Sequence, residues 1–64
     1  MKPFRTYKRA YEVASRINPN PRVTPASGNP DDGYYAVSEI YIDSAGNRYW
    51  YLYGAGKTVQ RQPQ

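Results

Sequence analysis

The chain has 64 residues, with nine basic and five acidic side chains, eight tyrosines, no cysteine and no histidine. A chain of this length makes one small domain, which buries only about 60% of the surface that its unfolded form exposes. The lack of cysteine excludes disulfides and thiolate metal sites, and the lack of histidine removes the commonest catalytic base and metal ligand. Self-association or a larger partner is then the remaining way to reinforce so small a fold.

The first predicted element is an amphipathic helix over residues 4–18. Thr6 is a candidate N-cap, and Pro3 suits the first turn of a helix. The run Asn18-Pro19-Asn20-Pro21 ends the helix, because proline lacks an amide proton and disfavours helical geometry in the residue before it. The predicted inward stripe recurs at helical spacing and comprises Tyr7, Ala10, Tyr11, Val13, Ala14 and Ile17.

Residues 19–33 are rich in proline, glycine and asparagine and show no periodic pattern. This composition favours turns and stiff extended linkers. We therefore expect a connector from the helix to a sheet, in which Val23 makes at most a short edge contact.

Residues 34–53 predict a β-hairpin, since two segments rich in β-branched and aromatic residues flank a turn sequence at residues 43–47. A type I turn over Ser44 and Ala45, followed by a left-handed Gly46, is the natural connection. That turn sets a register with Ile42 opposite Arg48, Ile40 opposite Trp50, and Ser38 opposite Leu52.

This register separates aliphatic side chains from tyrosines, whereas a slip of one residue would mix the two sets. One face of the predicted hairpin carries Ala36, Ile40, Ile42, Trp50 and Leu52. The other face carries Tyr35, Val37, Glu39, Tyr41, Tyr49, Tyr51 and Tyr53. We expect the helix to pack on Ile40, Ile42, Trp50 and Leu52 and to leave the tyrosine face uncovered.

Residues 54–64 complete a single domain spanning 1–64. Gly54-Ala55-Gly56 predicts a turn, and residues 57–61 predict a short third strand, because two strands alone are marginally stable. The segment 60–64 is expected to fray. The predicted fold class is thus α+β: an N-terminal helix, a Pro/Gly-rich loop, and a C-terminal antiparallel hairpin or three-stranded sheet.

Catalytic and cofactor chemistry finds little support in the sequence. Residues 54–58 resemble the end of a phosphate-binding P-loop, but Tyr51 replaces the first glycine of that motif and no helix-length segment follows. Glu39 is the one carboxylate that no turn or helix accounts for, and we expect a neighbouring tyrosine hydroxyl to bond it. We expect no enzymatic activity, no metal, no cofactor and no small-molecule substrate. No segment reaches the ~18 apolar residues of a membrane span, so the expected location is the cytoplasm.

Binding to a protein partner, or to a second copy of the chain, is the favoured function. Tyrosine and tryptophan are enriched in interface hot spots, and charged residues are depleted there. The predicted partner-binding residues are those of the tyrosine face: Tyr35, Val37, Glu39, Tyr41, Tyr49, Tyr51 and Tyr53.

Nucleic-acid binding is the alternative, because the chain is basic and its charge is unevenly distributed. Residues 1–22 carry six bases and one acid, whereas residues 23–47 carry four acids and no base. Glu12 is expected to pair with Lys8 and Arg16, each four residues away. Basic side chains would contact phosphates while tyrosines stack on unpaired bases. The predicted nucleic-acid contacts are Arg5, Lys8, Arg9, Arg16, Arg48 and Lys57.

The segment from Phe4 to Ala14 (FRTYKRAYEVA) resembles the first residues of small uncharacterised proteins of tailed phages, in which a similar helix precedes a short sheet. The resemblance implies a self-contained accessory protein that binds a phage or host macromolecule, in the host cytoplasm. The strand Tyr49–Tyr53 also resembles sheets in the DNA-reading domains of phage integrases. There the helix follows the sheet, so no DNA-contacting residue is transferred.

Overall fold

A computed structural model describes residues 1–56 and 58–63. Within them, one α-helix precedes an antiparallel sheet of five strands, and two short 3₁₀ helices (Ala26–Gly28 and Pro30–Asp32) lie between β1 and β2. The predicted α+β class is confirmed. The elements are α1 (Tyr7–Ile17), β1 (Arg22–Pro25), β2 (Tyr34–Val37), β3 (Tyr41–Ile42), β4 (Arg48–Tyr53) and β5 (Val59–Pro63).

The helix begins at Tyr7 because Thr6 caps it. The Thr6 hydroxyl accepts a hydrogen bond from the backbone N–H of Arg9 at 3.2 Å, which satisfies one of the free amides of the first turn. Asn18 follows the last helical residue in an extended conformation. The predicted range of 4–18 is thus too long at its start, since Phe4 forms a bridge with Tyr34 instead of a helical turn.

The predicted connector, residues 19–33, contains a strand. All four residues of β1 pair with β2, and Pro25 lies opposite Tyr34. The backbone N–H and C=O of Tyr34 bond Phe4, at 2.9 and 2.8 Å, so Pro25 faces no group that needs its missing amide proton. Proline is therefore compatible with this strand. The proline-rich composition of residues 19–33 predicts a loop, so it gives no sign of β1.

β4 is the central strand of the sheet. β5 pairs with β4 from Tyr49 to Tyr53 along one edge. β2 and β3 pair with β4 at its two ends, and both must use the other edge because β5 occupies the first. β2 and β3 are therefore one interrupted strand beside β4.

The interruption is a β-bulge at residues 38–40. Val37 lies opposite Leu52, and Tyr41 lies opposite Tyr49, so three residues of one strand face two of the other. The predicted pair of Ile42 with Arg48 is confirmed. The predicted pair of Ser38 with Leu52 is wrong, because the extra residue shifts the register of β2 by one.

The shift exchanges the faces of β2. Tyr35 and Val37 share the face of Leu52 and Trp50, and do not join the tyrosines of β4 as predicted. Ala36, predicted on the aliphatic face, pairs with Tyr53 and lies on the tyrosine face. The predicted separation therefore holds in β3 and β4 but not in β2.

The helix packs on the tyrosine face, against β1 and β2. The predicted packing on Ile40, Ile42, Trp50 and Leu52 is wrong. Alanines explain the choice of face: Ala10, Ala14 and Ala36 have no exposed surface, and their small side chains let the helix approach β2 closely. The core around these alanines also includes Phe4, Val13, Ile17, Val23, Tyr34, Tyr53 and Ala55.

Residues 1–4 insert between β2 and the end of β4. Phe4 bonds Tyr34 on one side, and on the other the backbone N–H of Ala55 donates to the carbonyl of Lys2 at 2.8 Å. Gly33 and Gly54 border this segment. A Cβ on Gly33 would collide with the Phe4 carbonyl, and one on Gly54 with the Lys2 carbonyl. Glycine is required at both positions because another backbone passes so close.

The predicted third strand exists as β5, residues 59–63, rather than 57–61. Lys57 and Gln64 lie outside the described residues. The predicted fraying of the tail is wrong for residues 60–63, because each of them pairs with β4.

Candidate functional site: the distal hairpin

Three tyrosines cluster at the end of the sheet beyond the helix. Tyr41 and Tyr49 are cross-strand partners with ring centroids 5.6 Å apart. Tyr51 meets both rings edge-on, at 5.9 Å from Tyr41 and 5.8 Å from Tyr49. These spacings lie in the range that aromatic pairs prefer, so the rings support one another. We call Tyr41, Tyr49 and Tyr51 the tyrosine cluster.

Arg61 ties β5 to this cluster. Its guanidinium carbon lies 3.8 Å from the ring centroid of Tyr49, a cation–π contact. The same guanidinium lies 3.8 Å from a carboxylate oxygen of Asp43. Arg61 therefore covers one face of Tyr49 and reaches the turn that connects β3 to β4.

Asp43 organises that turn. Its carboxylate accepts hydrogen bonds from the backbone N–H groups of Asn47 and Ala45, both at 2.9 Å. The bond from Asn47 lowers the pKa of Asp43 below its ordinary value, and the nearby charge of Arg61 acts in the same direction. Gly46 has a φ of 83°, which confirms the predicted left-handed residue after the turn.

The helix lies on the tyrosine face, so the opposite face of this region is not covered by α1 either. It carries Arg48, Trp50 and Ile42, and Ile42 is 66% exposed. Ile40, in the bulge, is 47% exposed, and Tyr41 is 39% exposed. We call residues 40–51 the distal hairpin: an extension of the sheet past the helix, with exposed apolar side chains.

The structure brings together only part of the predicted partner-binding set. Tyr41, Tyr49 and Tyr51 form the cluster, and Glu39 lies in the bulge between β2 and β3. Tyr53 packs in the core under the helix. Tyr35 and Val37 lie on the opposite face, where the Tyr35 hydroxyl donates to the carbonyl of Met1 at 3.1 Å.

Sequence reasoning did not assign Ile40, Ile42, Trp50 or Arg61 to the site. The first three were predicted to be core because they are apolar. Arg61 lies where the predicted third strand, residues 57–61, overlaps the segment predicted to fray, residues 60–64. If residues 59–63 form a strand beside Tyr49 and Tyr51, side-chain alternation puts Arg61 on the face of the tyrosine cluster. This alternation is the one signal in the sequence that points to Arg61.

The predicted nucleic-acid contacts fall on two sides of the molecule. Arg5, Lys8, Arg9 and Arg16 are exposed on or beside α1, whereas Arg48 lies on the sheet face away from the helix. Lys57 is outside the described residues. Within the described residues the carboxylate of Glu12 pairs with Arg9 at 3.1 Å, and not with Lys8 or Arg16 as expected.

A basic groove lies where the N-terminal segment meets the turn after β4. It has a volume of about 320 Å³, and its charged lining residues are Lys2, Arg5 and Arg9. Ala55 and Gly56 form its other wall. The glycine-rich segment thus forms the predicted turn between strands, closed by a bond from the Gly54 N–H to the Thr58 carbonyl at 3.2 Å.

Tyr7 and Tyr11, which were predicted to face the core, are exposed on the helix. Their rings stack with centroids 6.0 Å apart, and Tyr7 meets the ring of Tyr34 edge-on at 5.6 Å. Tyr7 is 54% exposed and Tyr11 is 44% exposed. This second group provides an internal comparison for the tyrosine cluster, because its rings are more accessible than those of the cluster but lie on the helix.

In the described part of the chain, no group of three acidic side chains is placed to hold a metal ion. The single α-helix described there is too short and too polar to cross a bilayer. Comparison of the chain with protein-family models, with curated proteins and with solved structures finds no match.

Proposed function

We propose that this chain is a small non-enzymatic accessory protein that binds a protein partner through the distal hairpin, in the cytoplasm. The observation that carries the proposal is the position of α1. The helix covers β1 and β2 and leaves the tyrosine cluster and Ile42 uncovered. The proposed contact set keeps only the tyrosine cluster from the predicted tyrosine face, and it adds Ile40, Ile42 and Trp50.

The composition of the distal hairpin supports a protein interface. Interface centres are enriched in tyrosine, tryptophan and arginine and poor in lysine and glutamate. Between Ile40 and Tyr51 the charged residues are Asp43 and Arg48. Asp43 is held by its turn and by Arg61, so contact with a partner would leave few charges unpaired.

The rigidity of the site also favours binding. The tyrosine rings are held by one another and by Arg61, which reduces the side-chain entropy lost when a partner covers them. A rigid aromatic surface loses less on association than a surface of long flexible side chains. This preorganisation favours a specific partner over diffuse adhesion.

The experiment compares Tyr41→Ala with Tyr7→Ala in affinity capture from a lysate of the producing cells, followed by affinity measurement with each purified captured protein. Truncation of a central interface tyrosine costs about 2 kcal/mol, or roughly 30-fold in Kd. We expect Tyr41→Ala to lose about that much and Tyr7→Ala, which removes a more exposed ring from the helix, to bind normally.

Circular dichroism and amide spectra of both variants check that the fold is retained. Tyr51→Ala is a second variant in the same cluster. The proposal is rejected if the captured proteins are the same for all three variants and the wild type. It is also rejected if the cluster variants unfold, because the tyrosines would then be structural.

Nucleic-acid binding is the second candidate, and the basic groove is the observation that favours it. Among the described residues that line this groove, Lys2, Arg5 and Arg9 are basic and none is acidic. Lys2 and Arg5 also line a neighbouring cavity together with Asp31 and Asp32. Stacking on bases has weaker support, because Arg61 covers Tyr49 and the edge of Tyr51 meets both neighbouring rings. The candidate therefore rests on phosphate contacts near α1.

Retention on single- and double-stranded nucleic acid as a function of salt tests this candidate. About five phosphate contacts give a log–log slope near −4. Arg5→Ser should reduce the steepness by about one, and Arg48→Ser should leave it unchanged because Arg48 lies on the other side of the sheet. No retention at low salt rejects nucleic-acid binding.

A further inference from the structure

We propose that the outer edge of β3 binds an extended peptide segment with an apolar centre and basic flanks, which adds a strand to the sheet. This inference rests on the proposed function, since it specifies the chemistry of the partner at the distal hairpin. Strand addition of this kind uses main-chain hydrogen bonds for affinity and alternate side chains for specificity.

The backbone groups of the β3 edge point outward. Asp43 donates its N–H to the carbonyl of Asn47 at 2.9 Å, so these two residues form a hydrogen-bonded pair across the hairpin. Because such pairs alternate with non-bonded ones, the N–H and C=O of Ile42 point away from β4. In the bulge, the backbone N–H and C=O of Ile40 make no backbone hydrogen bond within the described residues. Within the described residues no strand pairs with this side of β3, since β1 pairs with β2 only from Arg22.

The other two edges of the sheet carry features that discourage strand addition. The prolines Pro21 and Pro25 bracket β1, and Pro63 ends β5. The remaining residues of β5 after Val59 are glutamines and Arg61. Proline, charge, short length and bulges are among the means by which proteins protect sheet edges. β3 is short and follows a bulge, but it has neither proline nor lysine.

The β3 edge instead presents three consecutive exposed apolar side chains: Ile40, Tyr41 and Ile42 are 47%, 39% and 66% exposed. A bound strand would place its own apolar residues beside these. The side chains of Tyr41 and Ile42 lie on opposite faces of the sheet, so side chains of the added strand would contact both faces of the distal hairpin.

Charge at the two ends of the edge selects the flanks of the peptide. Glu39 precedes the apolar residues and Asp43 follows them; the Asp43 carboxylate already has Arg61 at 3.8 Å, so Glu39 supplies the stronger uncompensated charge. Within the described residues, Glu39 makes no ion pair. Opposite charges on directly opposed residues stabilise a strand pair. Lysine or arginine on either side of the peptide centre meets this requirement.

A second copy of the chain fits less well. The symmetric antiparallel pairing that is centred on Tyr41 would align all three apolar residues with those of the copy. It would also place Glu39 opposite Asp43 of the copy, and like charges in opposed positions destabilise a strand pair. We therefore assign the edge to a basic-flanked peptide.

The probe is the synthetic pentapeptide acetyl-Lys-Val-Tyr-Val-Lys-amide, titrated into ¹⁵N-labelled protein. We expect shifts of the amide signals of Ile40 and Ile42 and slower hydrogen exchange at both. A peptide with N-methylated valines lacks the donors and should bind at least about tenfold more weakly. A peptide with glutamate in place of lysine should also bind at least about tenfold more weakly.

Two protein variants serve as a matched pair. Ile42→Lys adds a charge at the β3 edge and should abolish the shifts. Val59→Lys adds the same charge on β5, at a side chain that is 50% exposed, and should leave them unchanged. Both positions are exposed enough that folding is expected to tolerate lysine.

Several outcomes overturn the inference: no shift at millimolar peptide, equal binding of the N-methylated peptide, or shifts confined to β5. Concentration-dependent broadening at residues 39–43 without peptide would assign the edge to a second copy. Stronger shifts at the same residues with an oligothymidine would assign it to nucleic acid. If the peptide fails while Tyr41→Ala still loses a captured protein, only the edge inference falls. If the peptide binds and Tyr41→Ala loses nothing, only the proposed function falls.

Discussion

The hydroxyl of Ser38 accepts a hydrogen bond from the backbone N–H of Tyr51 at 2.8 Å, where a regular strand would offer a carbonyl. The N–H of Ser38 donates in turn to the carbonyl of Tyr51 at 3.0 Å. A side chain thus completes the ladder at the bulge, where the extra residue displaces a main-chain acceptor. The pair allows β4 to remain continuous while its neighbour changes register.

Ser38→Ala should therefore destabilise the fold. Ser38 is 1% exposed, and loss of its hydroxyl leaves the part-buried N–H of Tyr51 without an acceptor, which costs about 1–3 kcal/mol. Urea denaturation followed by the fluorescence of Trp50 measures the change. Ser44→Ala, in the exposed turn, is the control and should stay within about 0.5 kcal/mol of the wild type. Equal stability of the two variants would show that the hydroxyl does not support the bulge.

Gly54→Ala should displace the N-terminal segment. The added Cβ would overlap the carbonyl of Lys2, and overpacking of this kind costs about 1–3 kcal/mol. The amide of Ala55, which donates to that carbonyl, should then exchange its proton faster. Gly28→Ala is the comparison, because Gly28 has a φ of 71° but no atom within 4 Å of the added Cβ. It should lose some stability through backbone strain without faster exchange at Ala55.

Asp43→Asn should weaken the turn in a pH-dependent manner. The pKa of Asp43 is lowered in the folded state, so its stabilising effect is complete above the unfolded value of about 3.9 and declines as the pH falls through the folded value. The difference in Tm between wild type and variant should be largest near pH 6 and shrink below pH 4.

Asp32→Asn removes one negative charge outside the hairpin and serves as the control in the same thermal melts. A shrinking difference in both variants would indicate a general charge effect. A difference that stays constant with pH in Asp43→Asn would mean that the carboxylate charge does not support the turn.

The elements that depend on local sequence could be predicted. Thr6 and the proline run after Ile17 limit the helix, and Gly46 with Asp43 determines the hairpin turn and the adjacent register. These signals act over a few residues, so neither packing nor distant contacts can override them easily.

The bulge and the packing of the helix could not be predicted, because each depends on a distant partner. The alternation in residues 34–42 favours the regular register, and the hydrogen bond between Ser38 and Tyr51 that marks the change joins residues from two strands. Because the register is shifted, Ala36 lies on the tyrosine face, and the helix packs on that face. One extra residue thus exchanges the faces of β2 and changes the face of the sheet on which the helix packs.

The insertion of residues 1–4 between β2 and β4 bears on the order of folding. During synthesis these residues are made before the groups that hold Lys2 and Phe4, which belong to residues 33, 34, 54 and 55. The helix can form as soon as it is made, because its hydrogen bonds are local, but the sheet cannot enclose residues 1–4 until residue 55 has been made. Residues 1–4 are thus made before α1 but reach their final place after it has formed.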